Sequence, residues 1–346
     1  MNKKLIAVAV ATSLALPMVS AHAVEVAGKK LEVYGKLHLN FGTFDKKVAG
    51  GEDNWHLNSY ASRLGFKGQQ KLDEGLTGTY KFEFQVDTAE KSSTEYTDSN
   101  GDTVTVSNDS GLERRNMYIG LKGGFGEVRI GRHDSPLKLA QGKFDQFGDT
   151  EGDLKYAGDQ DGENRQDNAI TYLLKSGNIG FNAQIIPGEG DGVTAGDGPA
   201  DTISVAVSYD NGPLYVALAQ DSYDSTGGAA EDSLTRLVAT YKMSSMQFGA
   251  FYQTGVEKPG TVADAEDWLG LSFNMKMGKN NKLKVQYIAV EDGASPSKDS
   301  TQLSVGIDHK IGKKGTLYAM YNTLEEKATT TTTDNSSISV GYILKF

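Results

Sequence analysis

No cysteine occurs anywhere in the 346 residues, so neither a disulfide framework nor thiol chemistry is open to this chain. Beyond the first 23 residues no apolar run approaches the 18 or so that a membrane helix needs, which excludes a helical span. Positive charge is in deficit. Without those 23 residues, which carry Lys3 and Lys4, 33 basic residues face 45 acidic ones, a net charge of −12 that argues against a nucleic-acid partner. Four histidines follow the first 23 residues (His38, His56, His133, His309), with no metal-ligand spacing and no neighbouring nucleophile motif. Proline (7) and tryptophan (2) are scarce, whereas glycine (41), tyrosine (16) and phenylalanine (13) are plentiful. The mean hydropathy of −0.43 looks soluble, but a barrel with one polar face can live in a membrane at that average.

What is present begins with a leader. Lys3 and Lys4 precede the apolar run "LIAVAVATSLAL", and "PMVSAHA" ends in a small-x-small site at Ala21 and Ala23. This reads as a secretory signal peptide over residues 1–23, cut after Ala23, leaving one domain over 24–346.

Period-two alternation then fills the chain. "LTGTYKFEFQVD" sets Tyr80, Phe82, Phe84 and Val86 against Lys81, Glu83, Gln85 and Asp87, and "LEVYGKLHLNF" sets Gly35, Leu37, Leu39 and Phe41 against Lys36, His38 and Asn40. The chain ends on "SISVGYILKF", with Ile338, Val340, Tyr342, Leu344 and Phe346 on one face and Ser337, Ser339, Gly341 and Lys345 on the other, Ile343 intruding. Sixteen such segments can be counted, each compatible with a tilted bilayer span. Their connections alternate between tight Gly/Asn turns ("KSGNIG", "DNGPLY", "GKNNKL") and long polar loops, the pattern of an outer-membrane barrel. A soluble sandwich would share the period. Tyrosines at Tyr34, Tyr118, Tyr172, Tyr209, Tyr241, Tyr287 and Tyr342 crowd strand ends, where interfacial girdles sit, and sixteen strands would need a closed edge. The expected fold is all-β: a transmembrane antiparallel β-barrel.

"VYGKL", "SRLGFKG", "RRNMYIGLKGGFGEVRIGR", "FDQFGD", "ENRQDNAITY" and the terminal Phe346 together resemble the general diffusion porins of Gram-negative outer membranes. The likeness covers the whole chain after the leader. It implies a homotrimer of 16-stranded barrels, each with its own channel, narrowed at mid-height by an inward-folded third loop. Ser135 to Asn164 fits that loop, being too long for a hairpin connection. It holds seven acids (Asp145, Asp149, Glu151, Asp153, Asp159, Asp161, Glu163) and three bases (Lys138, Lys143, Lys155). Carried over from the family, Lys36, Arg63, Arg115 and Arg165 are the basic wall of the constriction; Asp145, Asp149, Glu151 and Glu83 are its acidic side. Opposed charges across a water-filled gap set up a transverse field without a trap. Arg132 shares a face with Val128 and Ile130, pointing outward into the trimer interface. The loop departs from the enteric pattern, placing Gln146 where that pattern has an acid. Phe346 corresponds to the mark read by the barrel-assembly machinery.

The expected function is passive diffusion of ions and small hydrophilic solutes, not catalysis, with a weak cation preference drawn from the acidic loop. A solute-specific sugar or anion channel, or a loop-displaying adhesin or receptor, is the alternative. Lipid and lipopolysaccharide are the expected surroundings, and no cofactor or metal is implied. "DQDGEN" at Asp159–Asn164 and "DSNGD" at Asp98–Asp102 are fragments of calcium-loop spacing that lack the full ligand set.

Overall fold

The computed structural model describes residues 25–26, 29–46, 54–89, 93–97, 103–107, 112–158, 162–188, 199–223, 233–256, 266–292, 299–327 and 332–346. The expected leader, the Asp98–Asp102 stretch and the first half of Asp159–Asn164, with the loop acids Asp159 and Asp161, lie outside them. Sixteen antiparallel strands form one closed sheet. The first eight are β1 (Lys29–Lys46), β2 in two pieces (Asn54–Ser59 and Arg63–Lys71), β3 (Thr77–Val86), β4 (Leu112–Gly123), β5 (Gly126–Asp134), β6 (Arg165–Ser176), β7 (Ile179–Ile186) and β8 (Thr202–Asp210). Then come β9 (Leu214–Tyr223), β10 (Ser233–Met243), β11 (Met246–Val256), β12 (Glu266–Met277), β13 (Asn281–Asp292), β14 (Ser300–Ile311), β15 (Gly315–Lys327) and β16 (Thr332–Lys345).

Each strand pairs with its neighbour in sequence, and β16 pairs back onto β1, with Leu37 opposite Leu344 and Phe41 opposite Val340. The last residue completes the seam: Phe346 exchanges backbone hydrogen bonds with Gly35 at 3.1 and 3.2 Å. The phenylalanine ring also covers Gly35, whose missing Cβ makes the room. An apolar chain end is therefore paired rather than frayed, and the sheet has no open edge.

The barrel is inside-out relative to a soluble one. Ile119 (63 % exposed), Ile338 (62 %), Ile130, Leu218, Leu237, Leu269 and Leu271 face outward. His38, Asn40, Gln184, Ser204, Gln286, Gln302 and Ser339 are buried on the inner face. Backbone groups are satisfied within the closed sheet, as a hydrocarbon surround requires. Ile343, the intruder on the polar face of β16, packs inside the lumen against Phe147, Tyr318 and Met320. Of the seven tyrosines expected in girdles, Tyr209, Tyr241 and Tyr287 are exposed on the outer face; Tyr172 and Tyr342 share outward parity with Ile170 and Val340. Tyr34 and Tyr118 depart from the expectation. Their parity puts them in the lumen, where the Tyr34 hydroxyl donates to Glu83 and the Arg129 guanidinium lies 4.5 Å from the Tyr118 ring centre.

Tight turns with Gly126, Gly177, Gly212, Gly278 and Gly312 at positive φ hold one rim. Long connections hold the other. The third of these, between β5 and β6, folds inward.

Candidate functional site

The inner wall over β1 to β4 is built from alternation alone. Lys36 lies opposite Arg63 in the β1–β2 register, and Arg63 lies opposite Gln85 on β3. On β4 a bulge leaves Arg115 and Asn116 together facing the stretch between Phe82 and Phe84, and both turn inward. Lys81, Glu83 and Arg115 thus share one patch. Arg115 Nε donates to Glu83 Oε1 at 3.0 Å, and Lys81 Nζ sits 3.2 Å from Glu83 Oε2. Tyr34 donates to that same oxygen at 2.8 Å.

The third loop leaves β5 through α1 (Pro136–Ala140). Ser135 caps this turn, its hydroxyl accepting from Lys138 N at 3.1 Å, and proline fills the first position. Leu137 and Ala140 pack on Ala206, Ala217, Ala219 and Leu234 of the inner wall. Further on, Phe144, Leu154 and Ala157 bury against Val238, Phe251, Trp268, Ile288 and Val290. Glycines make the recesses: Gly249 and Gly270 accommodate the Phe144 ring, and Gly306 the Phe147 ring. Wall side chains satisfy the loop's backbone. Gln286 donates to Gly152 O at 3.2 Å, Gln302 to Glu151 O at 3.3 Å and Ser300 to Ala157 O. The loop is thus seated on the far half of the barrel, and its free edge looks toward β1 to β4.

Asp149 is on that edge. Its Oδ2 accepts from Lys36 Nζ at 2.6 Å and from an Arg63 terminal nitrogen at 2.9 Å. Burial opposes ionisation there, but Lys36 and Arg63 outweigh it and hold the carboxyl well below the usual range. Lys36 and Arg63 are like charges directly across a strand pair, an unfavourable pairing that Asp149 relieves. Its φ of +61° is left-handed for a residue with a Cβ, and its N–H donates to Asp153 Oδ2 at 2.7 Å.

The remaining loop acids look elsewhere. Asp145 accepts from Phe147 N at 2.7 Å and Leu154 N at 3.4 Å. Burial, then the nearby Asp153 carboxylate, pushes Asp145 up to about 8. Asp153 is raised by burial. Glu151 accepts from Asn40 at 2.5 Å and is buried between loop and wall. Glu163 pairs with Arg236 at 2.8 Å; burial raises its carboxyl, and Arg236 offsets part of that.

Of the four cations named from sequence, Lys36 and Arg63 meet at Asp149, and Arg115 stands beside them on Glu83. Arg165 sits at the loop's root, paired with Asp134 at 3.0 Å, which Lys138 also approaches at 3.3 Å. Of the four expected acids, Asp149 alone pairs from the loop with cations of this wall; Glu151 also reaches β1, but at Asn40, and Glu83 belongs to the wall itself. Arg132 faces outward, bound to Asp167 at 2.6 Å, with Arg114 3.7 Å from the same carboxylate. Sequence reading missed Tyr34 and the Arg236–Glu163 pair. Parity with Lys36 and His38 was signal enough for Tyr34; nothing local marks Arg236 as the partner of a residue 73 positions away. Among the described residues no group of carboxylates and histidines could hold a metal.

A sequence model described as Gram-negative porin matches residues 7–329. The outer membrane porin protein 32 of Delftia acidovorans is 27% identical over 337 residues, covering 92% of this chain and 90% of its own. The major outer membrane protein P.IB of Neisseria lactamica is 26% identical over 368 residues, covering 90% of this chain and 100% of its own. Among solved structures, the anion-selective porin from Comamonas acidovorans superposes with a TM-score of 0.75 at 23% identity, over 92% of this chain and 100% of that one.

Proposed function

This chain belongs to the Gram-negative porin family, and from that premise we propose that its outer-membrane channel passes small hydrophilic solutes with a preference for anions. The observation that carries the sign is the placement of Asp149. Among the described loop acids it alone pairs with cations of the basic wall, and two of them hold it. Among the described residues Lys36, Arg63, Lys81 and Arg115 form ion pairs there only with Asp149 and Glu83, which leaves that wall a net charge of about +2 (four cations against two carboxylates). Counting loop acids led to the opposite expectation, because the count ignores which way they point. Asp145 and Asp153 accept from the loop's own backbone, Glu151 is held by Asn40 of β1, and Glu163 is neutralised by Arg236 of β10. The sign agrees with the description of the anion-selective fold relative from Comamonas acidovorans.

In this reading Lys36, Arg63, Arg115 and Asp149 line the narrowest point, and Arg165 anchors the loop's root. The protein works as a homotrimer, with the outward Arg114–Asp167–Arg132 cluster in the contact between copies rather than against lipid. Lipopolysaccharide surrounds the trimer, and Phe346 is read by the assembly machinery. A sugar-specific channel would need exposed aromatic faces along the lumen; Tyr34 and Tyr118 are instead covered by Lys67, Lys81 and Arg129.

A reversal potential across a planar bilayer under a KCl gradient tests the sign. The expected result is anion selectivity at low salt, fading in concentrated KCl because the field reaches only a Debye length, about 8 Å at physiological ionic strength. Cation selectivity at low salt would overturn the reading.

A further inference from the structure

The short-turn rim of an outer-membrane barrel faces the periplasm, and on one side of that mouth, beneath the third loop, the lumen is strongly basic. Lys242, Lys276, Lys282 and Lys310 have the inward parity of Thr240, Asn274, Lys284 and Asp308 on β10, β12, β13 and β14. Lys143 descends from the loop, and Lys279 comes from the β12–β13 turn. Together they line a hollow of about 540 Å³. Lys276 and Lys282 are direct partners across the β12–β13 pair, an unfavourable placement of like charges.

Counter-charge is thin. Asp308 lies 3.6 Å from Lys282 but 2.8 Å from Lys284, deeper in the wall, and is already engaged there. Asp145, the other acid on this hollow, has both carboxyl oxygens bound to loop amides, Phe147 N and Leu154 N. Among the described residues no carboxylate comes within ion-pair distance of Lys143, Lys242, Lys276, Lys279 or Lys310. The floor is fixed rather than loose. Gln247 Nε2 donates to Lys143 O at 3.1 Å, Gln146 Nε2 donates to the same carbonyl at 2.8 Å, and Asn274 donates to Gln146 Oε1 at 2.9 Å.

We propose that this hollow is a binding site for small, multiply charged phosphate anions arriving from the periplasm. Its volume lies in the range of small-ligand pockets. Lysine ammonium groups serve phosphate as point charges, and five without a carboxylate partner favour a polyanion over chloride. The groups face the lumen, so a soluble anion reaches them and a membrane headgroup does not. The hollow keeps this charge whichever ion the constriction prefers.

Calorimetric titration of the detergent-solubilised mature protein with inorganic pyrophosphate at low salt is the test. Saturable binding is expected, weakened about tenfold or more in the Lys276→Gln/Lys282→Gln/Lys310→Gln variant. A Lys67→Gln/Lys122→Gln control, on the opposite periplasmic wall, should bind as the wild type does. Single-channel conductance in KCl checks that each variant still forms a channel. The proposal fails if the wild type shows no saturable binding, if the triple variant binds equally well, or if the control loses as much. A non-conducting protein that still binds would sink the channel reading and leave this site standing.

Discussion

At Asp149 one carboxylate answers two cations that the strand register forces together, and it does so in a left-handed backbone conformation that costs of order 1 kcal/mol for a residue with a side chain. Removing its charge exposes Lys36 and Arg63 to the lumen. A unit charge ~10 Å from an ion in water changes that ion's energy by about 0.4 kcal/mol, about a factor of two in occupancy, with opposite sign for the two ions. Asp149→Asn should therefore raise the anion-to-cation permeability ratio by about fourfold before screening. Reversal potentials of wild type and variant measure it; an unchanged ratio would place Asp149 off the conduction path.

At the scale of the element, the third loop behaves as a small apolar plug with a polar edge. Phe144 is fully buried between Phe251 and the Gly249 and Gly270 recesses. Phe144→Ala should cost the loop's seating about 3–5 kcal/mol while leaving the strand ladder intact. The expected consequence is a noisier, larger single-channel current with normal heat resistance of the barrel; a quiet channel of wild-type size would show that the backbone anchors suffice. The loop also carries its own pH response. Burial and Asp153 raise Asp145 to about 8 in the fold, above an unfolded value of roughly 4. A raised acid favours the fold fully below the unfolded value, and that advantage is lost as pH rises toward about 8. Protease resistance of the loop should accordingly fall between pH 5 and pH 8 in the wild type (roughly the span of that shift) and fall less in Asp145→Asn. Equal slopes would mean the pair is relieved by water.

At the scale of the whole molecule, closure is decided at the β1–β16 seam. Deleting Phe346 removes two backbone hydrogen bonds and the ring that fills the Gly35 recess. Those losses are small beside eleven paired positions along the same seam. A folded barrel lacking Phe346 should stay nearly as heat-resistant as the wild type, about 1–3 kcal/mol less stable, while its yield in the outer membrane drops several-fold in the assembly reading. Normal yield from the deletion strain would remove the residue's part in recognition.

Much of this was written locally. Period two is a property of the extended backbone, so Lys36, Arg63, Glu83 and the outward Ile338 and Val340 could be assigned to faces from the chain alone, as could the sixteen strands and the length that marks Ser135 to Asn164 as an inward loop. Tyr34 was equally legible by parity and was mistaken by its place near a strand end. The direction of the loop acids was not legible. Which of Asp145, Asp149, Glu151, Asp153 and Glu163 meets the lumen depends on how Phe144, Phe147 and Leu154 dock on Trp268, Ile288 and Met320, contacts more than a hundred residues apart in sequence. Alternation fixes which way a strand residue points because its neighbours along the chain define the sheet. An irregular loop has no such local frame, and only the wall it settles against decides which of its charges the water sees.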